Sequence, residues 1–221
     1  MKFLSWDTNK RMIDKMIEFL LNVNSDILLL QEIRSPDVFS EINNKLVDYF
    51  QIWNNVGYGM AILSRSRDMK NFRIDFNGRV MTLEFENFYV VNVLAPSSIV
   101  CGSEEYTVWH KSLRRFLNKL QQKKNVIVGG NFYIRTNIDN IPFIEANAMN
   151  YLLKFGFVDT FKELHPEDIS SFTYQPFNES NNRIIDYFFI SENLKEKLTV
   201  ADIFKDTFGS SHCPIIVELD I

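Results

Sequence analysis

Cysteine is scarce: the 221-residue chain has only Cys101 and Cys213, far apart, with no CxxC pair and no metal-type spacing. That excludes a disulfide framework or a cysteine-held zinc, and predicts a reduced, cytoplasmic setting. Long apolar runs are missing as well, since no stretch approaches the ~20 residues a membrane span needs. The opening Met1–Asp7 turns polar too soon for a secretory leader. Repeats, low-complexity tracts and Pro/Gly-rich linkers are absent, so one continuous domain over residues 1–221 is expected. An excess of basic charge is also lacking: 24 Lys and Arg against 28 Asp and Glu leave −4. This argues against a sequence-blind nucleic-acid coat. It does not exclude a site that gathers carboxylates around a metal.

What the chain does have is apolar mass. Hydrophobic residues make up 46%, and the 20 phenylalanines are expected to fill a core. Lys2–Trp6 reads as a short strand. From Lys10 to Asn22, Met12, Ile13, Met16, Ile17, Leu20 and Leu21 recur at helical spacing, with Thr8 or Asn9 as cap. Asp26–Glu32 is an apolar run that ends abruptly in polar groups, as a strand buried on both faces does, and Gly59–Ser64 repeats the pattern. Phe72–Phe76, Val80–Phe85 and Phe88–Leu94 read as strands around the turns Asn77-Gly78 and Glu86-Asn87. A second helix carries Val108, Trp109, Leu113, Phe116, Leu117 and Leu120 and leads into a strand at Asn125–Val128. A third, Phe143–Lys154, ends at Gly156. Arg183–Ile190 and Pro214–Leu219 are the last strands. Alternating helices and strands mixed with hairpins predict two packed sheets flanked by helices.

At five places, polar residues crowd where an apolar strand stops or is about to begin. They are Trp6-Asp7-Thr8-Asn9, Leu30-Gln31-Glu32, Val128-Gly129-Gly130-Asn131, Ile184-Ile185-Asp186 and Gly209-Ser210-Ser211-His212-Cys213-Pro214. Each alone reads as an ordinary turn. Together they predict a site on one rim of the sheets. The basic residues of Arg65-Ser66-Arg67, Lys111–Arg115 and Lys119–Lys124 read mainly as solvated surface.

These segments, with Gly57–Ser64, Gly78-Arg79-Val80, Phe88–Val93, Gly156–Phe161, Ile185–Phe188 and His212–Ile215, resemble in this order the exonuclease III-type apurinic/apyrimidinic endonucleases. The resemblance runs nearly end to end and implies a deoxyribonuclease I-like, four-layer α/β sandwich. It also implies hydrolysis of a DNA phosphodiester with Mg2+ or Mn2+, which take oxygen ligands and few protein groups. By the resemblance, Glu32 is the metal-binding glutamate, Asp186 orients the catalytic histidine, and His212 is that histidine. Asn9 matches a polar position of the metal rim.

The departures from the family pattern fall on one constellation. The asparagine after Trp6 is Asp7, and the glycine–aspartate–x–asparagine motif is Gly130-Asn131-Phe132-Tyr133. Leu94 replaces a tyrosine, and Ser211 replaces the aspartate before the last histidine. An amide cannot take up a water's proton near neutral pH, and losing a positioned base costs ~10²–10⁴ in rate. The segments Ile134–Asn147 and Phe172–Arg183 are short, with Arg183 and Ile184 where the family's DNA-gripping tryptophan–arginine pair stands. Two expectations follow. In the first, the protein is a pseudoenzyme kept for DNA binding or for a protein partner. In the second, Asp7 joins Glu32 and Asn9 in a shifted metal site, and Asp186 and His212 still catalyse.

Overall fold

The computed structural model describes residues 1–10, 14–33, 36–54, 59–136, 142–176 and 182–221. Met12, Ile13, Gly57, Tyr58 and parts of the two short segments lie outside the described residues.

Twelve strands and six α-helices are found among the described residues: β1 Lys2–Asp7, α1 Asp14–Val23, β2 Ile27–Gln31, α2 Pro36–Lys45, β3 Phe50–Asn54, β4 Met60–Ser64, β5 Asn71–Asp75, β6 Val80–Glu84, β7 Phe88–Leu94, α3 Ser98–Cys101, α4 Ser103–Gln121, β8 Asn125–Thr136, α5 Phe143–Lys154, β9 Phe157–Asp159, α6 Thr160–Leu164, β10 Ile184–Ser191, β11 Leu198–Ile203 and β12 Ile215–Leu219. They form two six-stranded sheets, ordered β11-β12-β1-β2-β4-β3 and β5-β6-β7-β8-β10-β9. Each sheet has one parallel pair at its centre, β1 with β2 and β7 with β8, and its other pairings are antiparallel.

The strand alternation explains the layers. Phe3, Ile27 and Leu29 face the second sheet and meet Met81, Val90, Ile127 and Phe188 in a dry interior. Their neighbours Leu4, Trp6, Leu28 and Leu30 point the other way, under Met16, Ile17 and Leu20 of α1. On the far side, Val91, Val93, Val126 and Val128 lie under Tyr106, Leu113 and Leu117 of α4 and Leu152 of α5. Strands covered on both faces carry no polar alternation, which is why they read as unbroken apolar runs. The result is the expected helix–sheet–sheet–helix sandwich.

One reading is corrected. The expected strand Asn125–Val128 does not stop before Gly129: β8 continues to Thr136 through the glycines and Asn131. Gly129 lets it do so, because a Cβ there would come 2.4 Å from the Phe188 ring. Gly130 has φ +144°, and a Cβ would lie 2.0 Å from the Val93 carbonyl oxygen, so only glycine fits. Asn131 is thereby held rigidly between Leu94 of β7 and Asp186 of β10. Thr8 serves as a tie rather than a helix cap, its hydroxyl donating to the carbonyls of Gln31 and Glu32 at 3.2 Å each.

Candidate active site

Three strand ends and one strand interior bring the predicted residues together. Asp7 closes β1, Glu32 follows β2, Asn131 sits within β8, and Asp186 is paired across from it in β10. The segment before β12 supplies Ser210, Ser211 and His212. Asp7, Asn131, Asp186 and His212 are all buried, none more than 4% exposed.

A continuous set of hydrogen bonds fixes them. His212 Nδ1 lies 2.9 Å from Asp186 Oδ2, and its Nε2 stands 3.9 Å from Asp7 Oδ2. Asn131 Nδ2 donates to that same Asp7 Oδ2 at 2.9 Å, while Asn131 Oδ1 accepts the Tyr133 backbone N–H at 3.0 Å. Asp7 Oδ1 accepts the Asn9 backbone N–H at 2.8 Å, and Asn9 Nδ2 donates to Ser211 Oγ at 2.7 Å. Ser210 Oγ donates to the Asp7 carbonyl at 2.8 Å and accepts the His212 N–H at 3.0 Å. Ser211 therefore orders Asn9, and Ser210 ties β1 to the histidine.

Leu94, the other substituted position, is buried in the core beside Asn131. Arg183 stands apart, bridged through its backbone to Tyr174. Residues that sequence reasoning passed over complete the site. Thr173 Oγ1 accepts the N–H groups of Ile185 and Asp186 at 3.0 Å, and its carbonyl accepts Cys213 N–H at 2.7 Å, so one residue clamps both sides of the Asp186–His212 pair. The Tyr174 ring packs 4.8 Å from the His212 ring. No local pattern marks either residue. Only the return of the chain to β10 brings them in.

Backbone strain collects here. Asn9, Lys10, Glu32 and Tyr133 all have φ between 48° and 62°, a left-handed conformation uncommon outside glycine. Hydrogen bonds from Thr8 N to Gln31 O (3.0 Å) and Lys10 N to Glu32 O (2.9 Å) lock the first two turns together.

Electrostatics follow from burial and crowding. Burial works against a charged His212, but the Asp186 and Asp7 carboxylates outweigh it and push the imidazole up to about 9. Burial pushes Asp186 above the usual carboxylate range, with His212 pulling against it. Burial likewise raises the Tyr133 phenol, helped by Asp7, Glu32 and Asp186, which places that ring against the carboxylates. A raised histidine stabilises the fold below its ordinary 6.5 and loses that contribution as pH climbs through about 9. At ~1.4 kcal/mol per unit the contribution is about 3 kcal/mol. An NMR titration of the His212 ring nitrogens is expected to show a midpoint near 9. A midpoint at or below 6.5 would contradict this placement of charge.

For metal chemistry, ligand atoms of Asp7, Asp186 and His212 lie within 4.8 Å of one another. Glu32 stands outside that group, 3.9 Å from Lys10 Nζ. Both Asp7 and Glu32 nonetheless act on His212 and Tyr133, so the two carboxylates share one neighbourhood. Carboxylate oxygens with one imidazole are a donor set that divalent cations accept.

The family model described as endonuclease/exonuclease/phosphatase matches residues 4–212. The chain belongs to that family. Within it, the *Bacillus subtilis* exodeoxyribonuclease is 31% identical over the whole of both chains. A *Dictyostelium discoideum* DNA-(apurinic or apyrimidinic site) endonuclease is 26% identical over all of this chain and 71% of its own length. The fold matches a *Neisseria* 3′ phosphatase bound to product DNA hairpin, with TM-score 0.86, 22% identity and full coverage of both chains. It also matches an *Archaeoglobus fulgidus* AP endonuclease, with TM-score 0.84, 17% identity and full coverage of both. The chain is thus an exonuclease III/AP endonuclease-type member of the endonuclease/exonuclease/phosphatase family, with a deoxyribonuclease I-like fold.

Proposed function

We propose that this protein is a DNA-directed member of the exonuclease III/AP endonuclease group in which phosphodiester hydrolysis is impaired. One observation carries the reading. Asn131 holds the centre of the site, its amide nitrogen donated to Asp7 and its oxygen taken by the Tyr133 N–H. An amide has no basic site for a water's proton, so Asn131 positions its neighbours and deprotonates nothing. Tyr133 compounds the loss by setting a ring against Asp7, Glu32 and Asp186.

The family's chemistry uses a divalent cation, and the residues present fit one. Asp7, Glu32 and Asn9 would hold it through oxygen. Bound Mg2+ or Mn2+ supplies charge neutralisation at a phosphate. Asp186 orients His212 and His212 carries a proton at Nε2. Asp7 Oδ2 faces that nitrogen.

A second reading is favoured by that last contact. Asp7 is a buried carboxylate beside His212 and could run a rearranged phosphodiesterase site for DNA repair. Isothermal calorimetry with Mg2+ and Mn2+ separates the roles of Asp7. If Asp7 is a ligand, Asp7→Asn should weaken metal binding at least about tenfold, about 1.4 kcal/mol. Unchanged affinity would remove the basis of the rearranged site.

DNA is the proposed partner, supported by what the relatives' names say they act on, and a protein partner is a secondary candidate. Arg183 is proposed to face nucleic acid. Free Cys101 and buried, free Cys213 support the cytoplasmic, reduced setting, and no helix among the described residues is long and apolar enough to cross a membrane. Fluorescence anisotropy with a duplex carrying one abasic-site analogue tests the binding role. Saturable binding that weakens as salt rises is expected. No binding at low salt would refute a DNA-directed role.

A further inference from the structure

Away from the hydrolytic centre, α4 and α5 enclose a cavity of about 220 Å³ lined by Thr107, His110, Lys111, Phe143, Asn147 and Tyr151, among others. Its wall contains an unsatisfied group. His110 is 6% exposed, and its Nε2 is buried without a hydrogen-bond partner. The ring is held by stacking 4.2 Å from Tyr106 and edge-on 5.1 Å from Trp109, and it bonds the Phe132 backbone. Burial pulls its pKa down to about 3, with the Phe132 bond opposing, so the imidazole is neutral. A neutral ring that gives its one N–H to a carbonyl presents a bare lone pair on the other nitrogen. An acceptor stranded in this way costs about 1–3 kcal/mol unless something donates to it.

The remaining lining narrows what that donor can be. At about 220 Å³ the cavity is below the ~300–1,000 Å³ of pockets for drug-sized ligands, so it admits about one ring system. Phe143 is an 80% exposed aromatic, and Tyr151 adds a second ring, with the Arg114 guanidinium 4.8 Å over it. Stacking a planar base on an aromatic side chain is worth ~1–3 kcal/mol and would cover this exposed surface. The Asn147 amide offers a donor and an acceptor together, as a base edge requires. Exposed Lys111 supplies a cation for a phosphate left outside.

We infer that the α4–α5 cavity is a binding site for a nucleoside monophosphate, its base donating an N–H to His110 Nε2 and its phosphate meeting Lys111. The site is independent of the hydrolytic reading. It backs directly onto the catalytic turn, because Tyr106 Oη donates to the Tyr133 carbonyl at 3.0 Å one helical turn from His110.

The chain has three histidines, so their ring nitrogens are separable by ¹⁵N NMR. Titrating the full chain with deoxyadenosine monophosphate is expected to shift His110 Nε2 saturably while His165 stays put. Adenosine should give the same shift more weakly, and inorganic phosphate should not give it. His110→Phe keeps the stacked ring, removes the acceptor and should weaken binding at least about tenfold. Ala148→Leu fills the cavity with His110 still visible, and should abolish the shift if the first variant fails to fold. Lys111→Ala should weaken the monophosphate and leave adenosine unchanged. The proposal is overturned if His110 Nε2 is unmoved at millimolar nucleotide, or if the changes appear only at His212. It is equally overturned if phosphate alone reproduces them.

Discussion

Replacing Asn92 with alanine is expected to lower the unfolding free energy by about 3 kcal/mol, one of the larger losses available to a single polar residue. Asn92 is fully buried in β7 of the second sheet, yet all its side-chain bonds reach the first. Its Nδ2 donates to the carbonyls of Leu30 and Ala61 at 3.0 and 2.9 Å, and its Oδ1 accepts from Gln31 Nε2 at 2.7 Å. Gln31 also donates to Ser5 Oγ and the Leu29 carbonyl, so the whole polar knot hangs on one inter-sheet residue. Alanine leaves a void and strands buried groups that water cannot reach. Urea denaturation should show a lower midpoint with unchanged slope. The exposed control Asn87→Ala should stay within about 0.5 kcal/mol. A loss below about 1 kcal/mol at Asn92 would mean that apolar packing alone joins the sheets.

The second large effect is a gain. Restoring the family residues at Asn131→Asp, Tyr133→Asn and Ser211→Asp should produce cleavage of an abasic duplex, but best with a fourth change. In the natural chain Asn131 Nδ2 and Asp7 Oδ2 are 2.9 Å apart. A carboxylate at both positions would force the pair to share a proton, because like charges that close cannot both ionise. Adding Asp7→Asn returns one acid and one amide to the same bond. The quadruple variant is therefore expected to cut at least ~10² faster than the natural chain, the lower range for regaining a positioned base. The triple variant should lie between them. Equal rates for triple and quadruple would show that Asp7 does not interfere. Silence from both would place the defect in the DNA-gripping segments rather than at these residues.

How much of this was legible in the sequence depends on range. β1, β2 and the first and third helices could be read because burial on both faces, or on one stripe, is written into neighbouring residues. The meeting of Asp186 with His212 followed from resemblance, not from any local signal. What escaped were long-range facts. β8 was cut short at Val128 because two glycines and an asparagine look like a turn, and only the Phe188 ring and the Val93 carbonyl make a strand there. α2 and β11, Leu198–Ile203, were missed because Pro36–Lys45 carries few apolar residues and β11 is only partly covered. Asp7 was recognised as a substitution. That its partner is Asn131, and that the two form an acid–amide pair, depends on register between separate sheets. The positioning of Thr173 depends on contacts with segments 12 to 40 residues later in the chain.

The most direct test is to incubate the natural chain with a fluorescent duplex carrying one abasic-site analogue, with Mg2+ and with Mn2+, beside Glu32→Ala. The account predicts no metal-dependent product from either protein. Product formed by the natural chain and abolished in Glu32→Ala would contradict it, and would show that Asp7 and its neighbours make a working hydrolytic site.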